Sequence, residues 1–332
     1  MWIIGSDYHA GFQQVAFFNT ETKDTGCLRL EHKDGTAERF YRSLAGEQVL
    51  VGIESTGGTR WLERLLAELG FQLLIGDAAR IRAAAAHKQK TDRKDAELLL
   101  QLLVEKRFPK IWIPSPEQRD VRQLLIHRHR LVQMRTRVKN QLQALAMNEG
   151  LHRKGQLWSK QGQSELLGLS LATWATQRRT DLLELLKEFD QRIAPLDLKL
   201  KDQAQTSADV QLLMSHPGVG PVVGTAFMLT LGNPHRFKTS RQVAAYLGLV
   251  PLERSSGSRK RLGHITKQGS SLMRGLLVEA ARIAIRYLPE WKRKYLRMSV
   301  KKNRSIAIIA IARRLAVQLW WMWKLGRKYG QK

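Results

Sequence analysis

The chain has 332 residues, 43% hydrophobic and 26% charged, which is the composition of a folded protein with two or three domains and excludes a disordered one. Its 56 Lys and Arg against 29 Asp and Glu give a formal net charge of +27, which favours nucleic acid over a membrane surface as the polyanionic partner. The single cysteine, Cys27, excludes an internal disulfide and a cysteine-rich zinc site, and it indicates a cytoplasmic protein.

The charge is distributed unevenly along the chain. Residues 1–115 hold 16 basic and 15 acidic side chains, residues 116–210 hold 16 and 11, and residues 211–332 hold 24 and 3. The first block therefore keeps its acids, while the last is strongly basic. Together with the element pattern below, this predicts three domains, over residues 1–115, 116–209 and 210–332.

The pattern of the first block predicts a mixed α/β domain. Short apolar or alternating runs predict strands at 2–6, 14–19, 27–31, 49–54 and 71–76, and helical spacing predicts helices at 61–69 and 92–104. Thr91 is the expected N-cap of the second of these helices. This succession of strands and helices is typical of a mixed sheet covered by helices.

The second block is predicted to be a helical, coiled-coil arm. Residues 117–148 form one long helix with an apolar stripe and an arginine-rich face, and residues 182–201 form another, with a kink or break at Pro195. The arginine-rich face suits a nucleic-acid backbone, and we select Arg122, Arg130 and Arg137 as its contacts. The segment 151–180 is expected to be polar and irregular, without an assigned role.

The third block is predicted to be all-helical. Helices are expected at 212–214, 222–231, 242–249, 270–287 and 304–324, with a polar basic loop over 251–268. The apolar stretch 306–323 is interrupted by Arg313 and Arg314, so we interpret it as a buried helix and expect no membrane partner.

Four acids in the first block form a candidate metal site. Asp7 and Glu54 each end a predicted strand, while Asp92 and Asp95 lie three residues apart at the start of a helix and so on one face. Phosphodiester chemistry uses such a cluster to hold one or two Mg²⁺ ions, which prefer carboxylate oxygens. Singly, each acid has another interpretation, as a turn residue, a surface acid or a favourable charge at a helix N-terminus.

A basic loop in the third block places hydroxyls among guanidinium groups. Ser255 and Ser256 lie between Arg254 and the pair Arg259 and Arg261. Arginines at this spacing would hold a phosphate beside a serine nucleophile. The alternative is a flexible basic loop that touches a nucleic-acid backbone and does no chemistry.

Two further segments are candidate phosphate contacts. The turn that contains Gly218 and Gly220 resembles a helix-hairpin-helix, in which backbone N–H groups approach a phosphate, although an ordinary turn between helices has the same pattern. Lys267 precedes a predicted helix and is the second candidate.

Taken together in chain order, the motifs resemble a bacterial family of DEDD insertion-sequence transposases, the bridge-RNA-guided serine recombinases. The resemblance rests on Gly5-Ser6-Asp7, Gly52-Ile53-Glu54-Ser55-Thr56-Gly57, Lys90-Thr91-Asp92-Arg93-Lys94-Asp95-Ala96, Pro217-Gly218-Val219-Gly220, Tyr246-Leu247-Gly248-Leu249-Val250-Pro251, Ser255-Ser256-Gly257 and Lys267-Gln268-Gly269. These blocks extend over nearly the whole chain.

The resemblance implies a fold and a mechanism. The first domain would be RuvC-like, a ribonuclease-H-type fold whose metal-binding acids match Asp7, Glu54, Asp92 and Asp95. Ser256 matches the nucleophile that forms a phosphoserine link to DNA, with the adjacent Ser255 left open. The partners implied are donor and target DNA, a non-coding guide (bridge) RNA and further copies of the chain, in a tetramer in which the acids of one subunit meet the serine of another. The setting implied is the bacterial cytoplasm, at the nucleoid during the reaction.

Two other functions are alternatives to this interpretation. A metal-dependent nuclease, such as a junction resolvase, would need the acids but not Ser256. A non-catalytic nucleic-acid-binding protein would need neither, and its acids would only cap helices and balance charge.

Overall fold

The structure, a computed structural model, describes residues 1–85, 91–153, 155–253 and 261–331. The chain divides into two units, Met1–Ile113 and Pro114–Lys332. The predicted second and third domains thus fall within one unit. The reason is that Leu125 from the first arm helix and Leu200 from the second are buried in the same core as the C-terminal helices.

The first unit is built around a five-stranded mixed sheet. Its elements are β1 (Trp2–Tyr8), β2 (Phe12–Asn19), β3 (Thr25–Glu31), α1 (Thr36–Arg42), β4 (Val49–Glu54), α2 (Arg60–Glu68), β5 (Gln72–Gly76), α3 (Ala78–Ala84) and α4 (Asp92–Val104). The strand order is β3-β2-β1-β4-β5, and the central strand β1 pairs antiparallel with β2 and parallel with β4.

Both faces of the sheet are covered by helices, as the short apolar strands require. Side chains alternate along a strand, so Ile4 of β1 points to one face, where it joins Tyr41 of α1 and Leu62 of α2 in the core. The opposite face of β1 packs against α4. The predicted boundaries of α4 and its cap at Thr91 are confirmed, because the Thr91 side chain accepts a hydrogen bond from the Lys94 amide.

The second unit begins with two long helices, α5 (Pro116–Asn148) and α7 (Thr173–Thr206). Arg128 pairs with Asp197, and Arg135 pairs with Asp190. Because the partner number falls by seven as the arginine number rises by seven, the helices run antiparallel with a heptad spacing. α7 continues through Pro195, so the predicted break is wrong there: packing against α5 offsets a cost of about 3 kcal/mol for an internal proline.

The segment 151–180 is partly helical, which corrects the prediction that it is irregular. It contains α6 (Lys160–Leu167), and α7 already begins at Thr173. Leu157 and Leu166 are fully buried against Leu142 of α5 and Leu182 of α7. The segment therefore folds over one end of the helix pair, and its few apolar residues were too widely spaced to show a helical period.

The rest of the second unit is mostly helical. Its elements are α8 (Ala208–Met214), α9 (Pro221–Leu231), α10 (Ser240–Tyr246), β6 (Pro251–Glu253), β7 (Leu262–Ile265), α11 (Ser271–Tyr287), α12 (Pro289–Lys301) and α13 (Arg304–Leu325). The antiparallel pair β6–β7 corrects the prediction of an all-helical block. Strands of three and four residues are too short to show an alternating pattern in the sequence.

α13 is long and apolar enough to cross a membrane by length and composition alone. In this structure one side of it is buried in the core of the second unit, where Ile311, Leu315 and Trp320 contact neighbouring helices. The indole N–H of Trp320 donates to the Pro234 carbonyl at 2.9 Å.

Candidate active site

Two glycines let α4 lie directly on the sheet. A Cβ on Gly5 of β1 would stand 2.3 Å from the Leu100 amide nitrogen and 2.5 Å from the Ala96 carbonyl oxygen of α4, and a Cβ on Gly52 of β4 would meet Leu103 at 2.8 Å. Residues two apart on a strand face the same side. The acids two positions later, Asp7 and Glu54, therefore lie on the face that α4 covers.

The same register places Asp7 and Glu54 at neighbouring strand ends. Ser6 of β1 is paired with Ile53 of the parallel strand β4, and each acid is the next residue along its strand. Ends of parallel strands at one edge of a sheet are common sites of chemistry in α/β folds. The predicted proximity of these two strand ends is present in the structure.

The first turn of α4 brings more acids to this edge. Asp92 and Asp95 are both in that turn, and the charges of both raise the pKa of Asp7. Asp92 is half-exposed, whereas the Asp7 side chain is only 16% exposed. The structure therefore brings Asp7, Asp92 and Asp95 into one electrostatic cluster.

His9 belongs to this cluster and was missed in the sequence. Its Nε2 lies 3.1 Å from Oδ2 of Asp7 and 3.6 Å from Oδ1 of Asp92, and its ring stacks on Phe12 with centroids 4.6 Å apart. Asp7, His9 and Asp92 each offer a ligand atom within 4.8 Å of the others. Its spacing in the sequence could have indicated that His9 belongs to the site, because it lies two residues after Asp7 and thus on the same side of the chain.

The electrostatics of the cluster fit a cation. Burial raises the pKa of Asp7, the proximity and hydrogen bond of His9 lower it, and the nearby charges of Asp95 and Asp92 raise it again. A carboxyl group that loses water and faces two other carboxyl groups is stabilised in its charged form by a bound cation. Carboxylate oxygens with one imidazole nitrogen form a donor set for a divalent metal ion.

Glu54 has a different immediate partner. Its Oε1 lies 3.7 Å from Nη2 of Arg82, an arginine whose side chain is 77% exposed. An exposed ion pair of this length is weak, so Glu54 can exchange Arg82 for another cation at little cost.

The predicted residues of the C-terminal block are only partly placed. Arg254, Ser255, Ser256 and Arg259 lie outside the described residues, and Arg261 and Lys267 are exposed. A Cβ on Gly218 would stand 2.7 Å from the Ala280 carbonyl of α11, so this glycine permits contact between helices. Gly220, at the N-cap of α9, has nothing within 4 Å of that position and stays a candidate for backbone contact with a phosphate.

The arginines of α5 separate into two groups. Arg128 and Arg135 are bonded to acids of α7 at 2.8 Å, so they hold the helix pair together. Within the described residues, no acidic side chain pairs with the predicted contacts Arg122, Arg130 and Arg137, which leaves their charge available to a ligand.

Two family models match two separate parts of the chain. A DEDD-type transposase model named for IS110 matches residues 4–148, and the model described as "Transposase IS116/IS110/IS902 family" matches residues 210–296. The first match contains all four predicted acids, and the second contains the basic serine loop.

Curated relatives are similar over most of their length. A "Probable family 20 transposase" of Pseudomonas aeruginosa is 28% identical over 88% of this chain and 88% of its own. The "Transposase for insertion sequence element IS1111A" of Coxiella burnetii is 28% identical over 81% of this chain and 76% of its own. The "Transposase for insertion sequence element IS1328" of Yersinia enterocolitica is 25% identical over 82% of each.

Proposed function

Because the chain belongs to the insertion-sequence transposases of the IS110 type, enzymes that cut and transfer DNA, we propose that it cuts with an acidic metal site and rejoins through a serine. The acids are Asp7, Glu54, Asp92 and Asp95, in a RuvC-like first domain, and the nucleophile is Ser256. The observation that carries this proposal is the convergence of Asp7, His9 and Asp92 at one edge of the sheet.

The metal proposed is Mg²⁺, as one or two ions. Asp7 and Asp92 would hold it, with Asp95 and Glu54 completing the carboxylate set and His9 beside them. When bound, Mg²⁺ would supply Lewis-acid chemistry, polarising the scissile phosphate and stabilising the leaving oxygen. The protein's own contribution is orientation, because α4 and the sheet fix the acids before substrate arrives.

The proposed serine step conserves phosphodiester bonds. The Ser256 hydroxyl oxygen attacks the phosphorus, one deoxyribose oxygen leaves as a hydroxyl, and the protein becomes linked to the other DNA end as a phosphoserine. Attack by the hydroxyl of a new strand reverses the step, restoring serine and forming a new DNA junction. No nucleotide cofactor is consumed, because the bond energy stays in the protein–DNA link.

The proposed partners follow from the family resemblance and the charge. Donor and target DNA are the substrates, and a non-coding bridge RNA pairs with both. Base pairing would then carry the sequence information, and the net charge of +27 would attract the nucleic-acid backbones. The chain would act as a tetramer in the bacterial cytoplasm, at the nucleoid during the reaction.

Covalent trapping tests this proposal. The purified chain with its RNA, Mg²⁺ and labelled donor and target DNA is run on a denaturing gel, beside Ser256→Ala, Ser255→Ala and Asp95→Ala. We expect a protein–DNA adduct with the wild type and Ser255→Ala, and a loss of at least about 100-fold with Ser256→Ala and Asp95→Ala. Removal of Mg²⁺ with a chelator should abolish the adduct as well.

Other outcomes identify the competing functions. Cleaved DNA without an adduct, at a rate unchanged in Ser256→Ala, would show a metal nuclease that uses water. Binding without cleavage in the presence of each divalent metal ion would show a non-catalytic nucleic-acid-binding protein.

A further inference from the structure

A cavity of about 400 Å³ lies within the second unit, between α5, α9 and the start of α11. Its polar wall includes Arg122, His129, Arg130 and Gln133 of α5 and Ser271 of α11. The four residues of α5 recur at helical spacing, so they share one face of that helix. This volume is in the usual range for a small-ligand site.

The cavity has unbalanced positive charge. Arg122 and Arg130 both line it, and no acidic side chain of the described residues is in its wall. On the same helix Arg128 and Arg135 are neutralised by Asp197 and Asp190 of α7. The fold thus supplies acids for the arginines at the interhelical contact and none for those in the cavity, a pattern that indicates an anionic ligand.

The start of α11 adds backbone donors to the same cavity. The Ser270 side chain caps the helix by accepting from the Met273 amide at 3.1 Å, which leaves the amides of Ser271 and Leu272 for another acceptor. Both residues line the cavity. α11 has 17 residues, so its N-terminal dipole also favours an anion there.

The loop before α11 is held in place by hydrogen bonds from Arg274. Nη1 of Arg274 donates to the carbonyl oxygens of Leu247, Gln268 and Gly269. Gly269 has a φ of +68°, and a Cβ there would stand 2.3 Å from the Tyr246 carbonyl oxygen. The backbone at the start of α11 is therefore held in place before a ligand binds, which lowers the entropic cost of binding.

We propose that this cavity binds one backbone phosphate of a nucleic-acid strand, through Arg122, Arg130 and the first-turn amides of α11. The inference rests on the proposed action on nucleic acid, and it assigns to one place a contact that the sequence only predicted as part of an arginine-rich face. The phosphodiester is the shared chemistry of DNA and RNA, and the experiment distinguishes these two sources.

The test is the salt dependence of binding by the full-length chain. Fluorescence anisotropy measures affinity for duplex DNA, single-stranded DNA and RNA of one sequence across a series of NaCl concentrations. Loss of one phosphate contact should reduce the slope of log K against log salt by about 0.7 to 0.9, and weaken binding about five- to eight-fold at 0.1 M salt. We expect this for Arg122→Gln and Arg130→Gln, while Arg122→Lys keeps most of the slope.

A matched control removes the same charge elsewhere. Arg192 is 68% exposed on α7 and pairs only loosely, at 3.7 Å, with Glu188, so Arg192→Gln should leave the slope unchanged. Ser271→Asp places an anion at the helix start, where it stabilises the helix but repels a phosphate. It should weaken binding while the melting temperature is kept, which separates loss of the site from loss of folding.

The outcomes are distinct from those of the trapping experiment. A changed slope on DNA or on RNA identifies the strand that the cavity holds, even if the wild type forms no adduct. If Arg122→Gln and Ser271→Asp left the slope of log K against log salt unchanged on all three nucleic acids, the proposal would be overturned. The proposal would also be overturned if the variants lost only the rise in melting temperature that inorganic phosphate causes, because the cavity would then bind a free anion.

Discussion

His216 illustrates how strongly burial controls a single residue. It is 1% exposed, its ring makes edge contacts with Trp291 and Tyr329 at 5.4 and 4.4 Å, and neither ring nitrogen makes a well-aligned hydrogen bond within the described residues. Burial lowers its pKa to about 4, although a poorly aligned contact with the Pro217 backbone and the charge of Glu290 oppose the shift. A neutral imidazole is therefore part of the core of the second unit.

A stability difference between acid and neutral pH follows from this residue. The unfolded chain binds a proton near pH 6.5 and the folded chain only near pH 4, so protonation favours the unfolded state as pH falls through this window. We expect the wild type to lose up to about 3 kcal/mol from this source between pH 7 and pH 4. His216→Phe should remove that loss.

Urea unfolding at several pH values measures the effect. The difference between wild type and His216→Phe isolates this imidazole from the carboxyl groups that titrate in both proteins. His264→Gln, at an exposed position, should keep the wild-type pH dependence. Parallel curves for wild type and His216→Phe would contradict the prediction.

At the scale of elements, the contact between α4 and the sheet positions the acids. Gly5 and Gly52 remove the side chains that would hold the helix away, and Asp7 and Glu54 follow at the same two-residue offset. In the short patterns Gly-x-Asp and Gly-x-Glu, the glycine thus allows α4 to pack closely, and the acid two residues later belongs to the proposed site. A helix that cannot approach the sheet cannot bring Asp92 to Asp7.

Gly5→Ala should therefore damage both stability and the site. The added methyl group meets backbone atoms of α4 at 2.3 and 2.5 Å, and backbone cannot rotate away as a side chain can. We expect a loss of about 2–3 kcal/mol or more in the free energy of unfolding and weaker Mg²⁺ or Mn²⁺ binding. Denaturant unfolding and calorimetric titration of the full chain measure the two effects.

Gly57→Ala is the matched control, since a Cβ at that position has nothing within 4 Å. It should change stability by no more than about 0.5 kcal/mol and leave metal binding intact. Equal effects of the two substitutions would show that close packing of α4 is not what positions the acids.

At the scale of the whole molecule, the proposed metal site and the largest excess of positive charge lie in different parts of the chain. The acids of the proposed metal site lie in the unit Met1–Ile113, and residues 1–115 have nearly equal numbers of acids and bases, whereas residues 211–332 carry 24 bases against 3 acids. An acidic site within a balanced domain avoids being neutralised by its own surface, and a basic domain attracts the polyanion.

The proposed tetramer predicts complementation between inactive variants. If the acids and the serine of one reaction come from different subunits, Asp95→Ala and Ser256→Ala chains refolded together should regain part of the strand transfer that neither shows alone. Gel analysis of joined DNA measures it, with each variant alone as the baseline. A mixture as inactive as its components would show that one chain supplies both groups.

Several features were determined by the sequence alone. Strong local signals, such as the Thr91 cap and the apolar period of residues 92–104, predicted α4 to the residue, because capping and periodicity act within one or two turns. The motif blocks predicted the family that the comparisons show. The four acids and the excess of positive charge were likewise visible without a structure.

Other features depended on contacts between residues far apart in the sequence. The approach of His9 to Asp92, the pairing of Arg128 with Asp197, the cavity beside α11 and the strands β6 and β7 join segments whose proximity no local pattern encodes. α12 (Pro289–Lys301) also escaped prediction, because Trp291 is its only buried residue and five of its 13 residues are basic. Local propensity decides which segments become helices and strands, but packing decides which side chains meet, because burial of apolar faces selects one arrangement among many.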